Sequence, residues 1–258
     1  DTIILGTNLT SSDTIDGGNG TDELRFTDSG SATSDLDGVT NVETVTLGDA
    51  STSVTTVDAL VGSGQTLTVS AAALTGTNAL TWDGSAETNG SFSITGSSQA
   101  DTITGGAGAD TVTAGSGDDT ISSGNDADTI ILGTNLTSSD TIDGGNGTDE
   151  LRFTDSGSAT SDLDGVTNVE TVTLGDASTS VTTVDALVGS GQTLTVSAAA
   201  LTGTNALTWD GSAETNGSFN ITGSSQADTI TGGAGADTIS SGNDADTIIL
   251  GTNLTSSD

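Results

Sequence analysis

Residues 96–131 read Gly96-Ser-Ser-Gln-Ala-Asp101-Thr-Ile-Thr, Gly105-Gly106-Ala-Gly108-Ala-Asp110-Thr-Val112-Thr, Ala114-Gly115-Ser-Gly117-Asp-Asp119-Thr-Ile-Ser and Ser123-Gly-Asn-Asp126-Ala-Asp128-Thr-Ile-Ile131. Asp101, Asp110, Asp119 and Asp128 are each nine residues apart, which is neither a helical nor a hairpin period. Each unit supplies about six small or acidic residues able to turn tightly, then a three-residue strand whose single apolar side chain must face inward. One apolar residue per nine makes no core alone. Units stacked in register do, because their Ile and Val side chains then form continuous ladders, the logic of a solenoid.

These units resemble the nonapeptide repeats of RTX proteins, calcium-binding parallel β-rolls with the pattern Gly-Gly-x-Gly-x-Asp-x-apolar-x. The pattern is complete at Gly105, Gly106, Gly108, Asp110 and Val112, and at Gly232, Gly233, Gly235, Asp237 and Ile239. It is complete again at Gly17, Gly18, Gly20, Asp22 and Leu24, and at Gly144, Gly145, Gly147, Asp149 and Leu151. Ala114, Ser123 and Asp126 replace glycines elsewhere, and the unit ending in Asp101 keeps only Gly96.

In that family alternate nonapeptides share one edge of the roll, so the resemblance implies a calcium ion between unit n and unit n+2. Asp101 would then pair with Asp119, Asp110 with Asp128, and Asp228 with Asp246. The implied ligand positions are Asp13, Gly18, Gly20 and Asp22; Asp101, Gly106, Gly108, Asp110, Gly115, Gly117, Asp119 and Asp128; Asp140, Gly145, Gly147 and Asp149; and Asp228, Gly233, Gly235, Asp237 and Asp246. Several Ca2+ ions per repeat unit follow. Calcium takes six to eight oxygen ligands, and glycine-rich turns offer carbonyls with room for the ion. The chemistry agrees: stacked coils lie about 4.8 Å apart, where two carboxylates repel by roughly 1 kcal/mol in water and more at lower dielectric.

Composition supports the same reading. The chain carries 36 Asp and Glu against 2 Lys and Arg, a formal charge of −34, with no His, Cys, Pro, Met or Tyr. That balance disfavours nucleic acid or an anionic membrane surface and favours divalent cations. Without His or Cys there is no soft metal site and no thiol or imidazole catalysis, and no disulfide to stabilise an exported fold. Hydrophobic residues at 31% and aromatics at 2% are too few for a conventional core. Such a chain would ordinarily be disordered; the repeat overturns that.

The opening Asp1-Thr-Ile-Ile-Leu-Gly-Thr-Asn-Leu-Thr-Ser-Ser-Asp13 returns at Asp128 and at Asp246. Three units follow: 1–127, with its nonapeptide stretch at 96–131; 128–245, with nonapeptides at 223–249; and the start of a third, 246–258. Residues 1–100 and 128–227 differ only at Ser93 against Asn220. The second unit is shorter by one nonapeptide, since two steps separate Asp110 from Asp128 and one separates Asp237 from Asp246. Nine residues are half a coil, so their loss is expected to turn the following segment to the opposite side of the rod. There is no initiator Met, signal peptide or membrane-length apolar run, and both ends fall within a repeat, so the chain reads as a window on a longer array.

Asp13 and Asp22 flank a roll-like turn, and the twelve-residue step from Asp1 to Asp13 implies a coil enlarged at Gly6 to Asn8. From Thr27 to Ser93 the nonapeptide fades. Val42–Leu47, Ser53–Val57, Leu67–Val69, Leu80–Trp82 and Phe92–Thr95 are alternating, β-branched strand candidates; Val57–Val61 and Ser70–Leu74 are candidates for single helical turns. This segment is expected to continue the solenoid with larger coils, filled by Trp82, Phe26 and Phe92 and their copies Trp209, Phe153 and Phe219; the alternative for Trp82 is to stack on a ligand. Asp35, Asp37, Asp49 and Asp58 lack the paired-glycine turn and read as surface residues. Arg25 and its copy Arg152 read equally as internal counter-ions or as outward strand residues.

The fold class is all-β: a right-handed parallel β-solenoid, an RTX-like β-roll with irregular larger coils between the nonapeptide stretches. At eighteen residues per coil it would have about fourteen coils over roughly 70 Å. The function it suggests is structural: a calcium-stabilised repeat of a large secreted or surface-displayed bacterial fibre, sheath, S-layer or adhesin stalk, associating with copies of itself in a filament or layer. The alternative is an accessory RTX domain driving secretion and folding of an attached toxin or enzyme. Thr-x-Thr triplets such as Thr44 to Thr46 and Thr111 to Thr113 also resemble the faces of ice-binding solenoids, although threonine suits any exposed strand. Catalysis is not expected: carboxylates such as Asp83 and Glu87 could lie close, but nothing sets one apart in an apolar pocket. Neither nucleic-acid binding nor direct membrane insertion is expected.

Overall fold

The computed structural model describes residues 1–5, 9–26, 36–132, 135–152 and 162–250. Gly6 to Asn8, Asp35, Phe153 and most of the third unit's start lie outside them. The chain divides into two compact units, residues 1–130 with 145–147, and residues 131–144 with 148–258.

In the first unit the alternating pattern becomes two stacks of parallel strands. One face carries Thr2–Leu5, Glu23–Phe26, Thr44–Thr46, Thr66–Ser70, Ser91–Thr95 and Thr111–Thr113, each bonded to the next in that order. The other carries Thr52–Thr55, Leu80–Asp83, Thr102–Gly106 and Thr120–Gly124. A short pair, Ile15–Asp16 with Val39–Thr40, lies apart. Because strands on one face come from every second strand of the chain, each coil crosses from face to face and back. This is a parallel β-solenoid.

Register turns single apolar residues into ladders. Leu24, Val45, Val69, Ile94 and Val112 are successive partners on one face, and Val54, Trp82, Ile103 and Ile121 on the other. All are buried. Burying each such side chain is worth about 1.5–3 kcal/mol, so a stack of coils acquires the core that one nonapeptide lacks. On the outward positions of the first face, Thr44, Thr68, Ser93 and Thr111 form one file and Thr46, Ser70, Thr95 and Thr113 another; Glu23 and Arg25 interrupt both.

The second unit repeats the design. Leu151, Val172, Val196, Ile221 and Ile239 make one ladder and Val181, Trp209, Ile230 and Ile248 the other. Trp82 meets Phe92 edge-on at 5.5 Å, and Trp209 meets Phe219 at 5.6 Å. Both tryptophans are fully buried, so they fill the wide coils as expected and are closed to a ligand.

Coil length explains the irregular region. Nonapeptide coils take 18 residues, as between Thr102 and Thr120, whereas Thr81 to Thr102 spans 21, Thr44 to Thr68 spans 24 and Thr52 to Leu80 spans 28. The chain therefore makes about 11 turns and not fourteen. The five strand candidates between 42 and 95 are all strands within a residue or two. Asp58–Leu60 forms a short 3-10 helix, but Ser70–Leu74 ends a strand and closes with a turn in which Leu74 N–H donates to Ala71 O at 3.0 Å.

Within residues 131–250 the copies of the opening motif fall on different faces. Leu132 N–H donates to Arg152 O, placing the Asp128 copy of the opening motif beside Glu150–Arg152, on the face that continues through Thr171–Thr173. The Asp246 copy lies in Thr247–Ile249, which pairs with Thr229–Thr231 on the other face. The deletion falls between Asp237 and Asp246, so the segment it turns is the one beginning at Asp246.

Candidate metal centre

Each nonapeptide strand starts just after its aspartate, so parallel stacking superposes these acids at the corners. There they make one recurring contact: the carboxylate of one coil accepts the backbone N–H at the equivalent position of the coil before. Asp101 N–H donates to Asp119 Oδ1 at 2.8 Å and Asp110 N–H to Asp128 Oδ1 at 2.8 Å. Asp228 N–H donates to Asp246 Oδ1 at 3.0 Å. The three anticipated pairs are thus brought together. The contact continues beyond the aspartates, with Leu80, Phe92, Leu207 and Phe219 donating to Asp101, Asp110, Asp228 and Asp237.

The second carboxylate oxygen closes the turn that precedes it. Ser97 N–H donates to Asp101 Oδ2 at 2.6 Å, Gly106 N–H to Asp110 Oδ2 at 3.0 Å, Ser224 N–H to Asp228 Oδ2 at 2.6 Å and Gly233 N–H to Asp237 Oδ2 at 2.9 Å. Where serine replaces glycine its hydroxyl adds a bond, Ser97 Oγ to Asp101 Oδ1 at 2.7 Å. The corner aspartates are buried: Asp22, Asp101, Asp110, Asp119, Asp128, Asp140, Asp149, Asp228 and Asp237 are all at most 6% exposed.

Two glutamates absent from the sequence reading belong to this ladder. Asp22 N–H donates to Glu43 Oε2 at 2.7 Å and Asp149 N–H to Glu170 Oε2 at 2.8 Å. Asp22 Oδ1 also accepts the amino group of Asp1. Asp13 is different. It is exposed and accepts Thr10 N–H and the Thr10 hydroxyl, closing its own turn over three residues; its copy Asp140 accepts Thr137 N–H the same way.

The turn glycines are required by close approach. A Cβ on Gly105 would stand 2.1 Å from Ser123 O and 2.3 Å from Asp110 Oδ2, and one on Gly96 would stand 2.0 Å from Ala114 O and 2.6 Å from Asp101 Oδ2. Gly106, Gly108, Gly115, Gly117, Gly145, Gly233 and Gly235 press likewise on backbone or side-chain atoms of a neighbouring turn, whereas Gly18 and Gly20 face open space. Gly147 lies in the turn before Asp149. Glycine thus lets corner carbonyls and carboxylates come together where a side chain would intrude.

Burial disfavours the ionised form of two corner acids, Asp110 and Asp128. It pushes the Asp110 carboxyl up to about 7, against the bonds from Phe92 and Gly106 N–H, with the charges of Asp128 and Glu87 adding to the rise. Burial also raises Asp128. A raised carboxyl was not anticipated, but Asp110 is 1% exposed, closed to a substrate. Arg25 and Arg152 lie on the surface, paired with Glu23 and Glu150 two residues earlier on the same strand; they are outward residues and do not reach the corners.

The corners fit a hard divalent cation. Their donors are carboxylate and carbonyl oxygens, Asp22 Oδ2 is buried without a hydrogen-bond partner, and the space a Cβ would fill at Gly105 lies between a carboxylate and a carbonyl. Among the described residues no three acidic side chains converge on one point, so backbone oxygens would have to complete any coordination shell.

The chain is thus a parallel β-solenoid repeat protein with stacked acidic corners. The profile of the RTX calcium-binding nonapeptide repeat matches in four copies, at residues 10–26, 95–130, 137–153 and 220–251. In these four stretches the chain carries RTX-type calcium-binding repeats. Comparison with curated proteins and with solved structures finds no match.

Proposed function

We propose that the chain is a calcium-stiffened structural module of a large secreted or surface-displayed bacterial protein, of the fibre, sheath, S-layer or adhesin-stalk kind. The observation that carries this reading is repetition: residues 1–100 and 128–227 differ at one position and build the same coils, as suits a spacer whose units do one mechanical job. The ions would be held at the corner pairs Asp101 with Asp119, Asp110 with Asp128 and Asp228 with Asp246, with carbonyls of the adjoining glycine turns. Bound there, calcium would neutralise paired carboxylates and cross-link successive coils.

Export would follow from the same chemistry. In low cytosolic calcium the charge of −34 and the cost of burying paired carboxylates would weaken the fold, the nonapeptide stretches most; millimolar calcium outside would restore it. A site with a dissociation constant tenfold below ambient calcium adds about 1.4 kcal/mol, and several sites sum to much of a domain's stability. Far-UV circular dichroism with calcium and with excess EGTA tests this: a β spectrum that persists unchanged in chelator rejects it. Electron microscopy of the secreted material tests self-assembly, with single unassociated particles as the contrary result. The two files of outward hydroxyls on the first face favour a second reading, ice binding; absence of thermal hysteresis in the folded, calcium-loaded chain would dismiss it.

A further inference from the structure

Glu87 lies outside the nonapeptides, in the wide coil between Trp82 and Phe92, yet it is 1% exposed. Its Oε1 accepts the N–H groups of Thr88, Asn89 and Gly90 at 3.1, 3.0 and 2.7 Å, which fixes the carboxylate in its own turn. Its Oε2 is buried and has no hydrogen-bond partner. Leaving an ionised oxygen buried and unsatisfied is costly, so the position needs a proton or a cation.

What faces it decides between them. The turn Gly84–Gly90 lies directly against the turn Gly105–Asp110: Ala107 N–H donates to Glu87 O at 2.9 Å, and a Cβ on Gly106 would stand 2.7 Å from Gly84 O and 3.0 Å from both Glu87 Cβ and Glu87 O. Gly108 presses equally on Gly90 O, at 2.1 Å for an added Cβ. Gly106 N–H in turn donates to Asp110 Oδ2 at 3.0 Å. Two buried carboxylates thus flank one glycine, among the carbonyls of glycine turns, where two successive coils stack, and a cation can be shared by both.

The second copy is built alike. Glu214 is 1% exposed, its Oε1 caps Asn216 and Gly217 and its Oε2 is buried without a partner. Ala234 N–H donates to Glu214 O at 2.9 Å, a Cβ on Gly233 would stand 2.9 Å from Glu214 Cβ, and Gly233 N–H donates to Asp237 Oδ2 at 2.9 Å.

We propose that Glu87 with Asp110, and Glu214 with Asp237, each hold a calcium ion, so that a metal row begins one coil before the complete nonapeptides at Gly105 and Gly232. The inference rests on the calcium reading above. Its role would be to fasten the nonapeptide stack to the wide coil that carries the tryptophan.

The test is the double variant Glu87→Gln/Glu214→Gln in the full chain. Glutamine keeps an oxygen to cap the turn but removes the charge. Native mass spectrometry and calorimetric titration with calcium chloride should find two ions fewer per chain than in the unaltered protein, or two sites weakened at least tenfold. Unchanged stoichiometry and affinity overturn the proposal. If the variant does not fold, a calcium-loaded crystal structure of the unaltered chain answers the same question. An ion about 2.3–2.6 Å from a Glu87 carboxylate oxygen supports it; ions at other corners with none at Glu87 overturn it. Failure of the unaltered chain to bind any calcium would instead reject the calcium reading itself.

Discussion

The nonapeptide stretch 96–131 and the wide coils 36–95 solve the same problem with opposite materials. The nonapeptides close a coil in 18 residues around single Ile or Val side chains, and hold their corners with buried aspartates. The wide coils take 21 to 28 residues and enclose Trp82, Phe92, Leu67, Leu74 and Leu80, all buried. Their exposed aspartates, unlike those of the corners, organise loops: Asp49 accepts from Thr75 and Asn78, and Asp58 from Thr88 and Asn89. The Thr75 hydroxyl, then Asn78, holds the Asp49 carboxyl below its usual range, whereas burial raises that of Asp110. One region is stabilised by apolar volume and the other by whatever neutralises its acids. They should therefore fail under different insults.

Calcium removal should separate them most sharply. In excess EGTA, backbone amide exchange across 96–131 should accelerate by orders of magnitude and far more than across 66–95; equal acceleration would erase the distinction. Trp82→Ala is the converse, with an expected loss of about 3–5 kcal/mol, of similar size in calcium and in chelator. A loss found only in calcium would place Trp82 in the ion-dependent region.

Gly105→Ala should rank next. Its Cβ would meet a backbone carbonyl at 2.1 Å, which cannot swing aside, so a drop of about 1–3 kcal/mol is expected, with weakened calcium binding. Gly64→Ala makes a control, since it has a positive φ of 69° but open space around it; it strains the backbone and leaves calcium affinity alone.

Acidity provides a subtler test. In the calcium-free protein the folded Asp110 carboxyl titrates near 7 against 3.8 in the reference state. The folded form therefore binds more protons between those values, and stability falls as pH rises from about 4 to about 7. Urea midpoints in EGTA should decline across that window, and calcium should abolish the decline. The smallest effect belongs to Asp49→Ala, which should speed exchange at Thr75 and Asn78 without moving the global midpoint.

The corner pairs were legible because the nine-residue period is printed directly in the aspartates, and two periods make one coil. Coil number was not: side-chain volume sets coil length, and only the structure reveals 28 residues between Thr52 and Leu80. Glu43 and Glu170 could have been found, since Glu43-Thr44-Val45-Thr46 has the form of Asp110-Thr111-Val112-Thr113. Nothing local marks Glu87. Its identity as a buried acid comes from a turn of another length that happens to lie on Gly106, a tertiary fact with no periodic signature.

The half-coil arithmetic of the nonapeptide has a genetic corollary. Within residues 131–250, copies of one run lie on one face where Leu132 meets Arg152 and on the other at Thr247–Ile249, and the unit between them is one nonapeptide shorter than the first. Replication slippage that drops or adds one such block would move the strand that follows it to the other face. A gene of this design would re-aim its surface by parity alone, without altering one side chain.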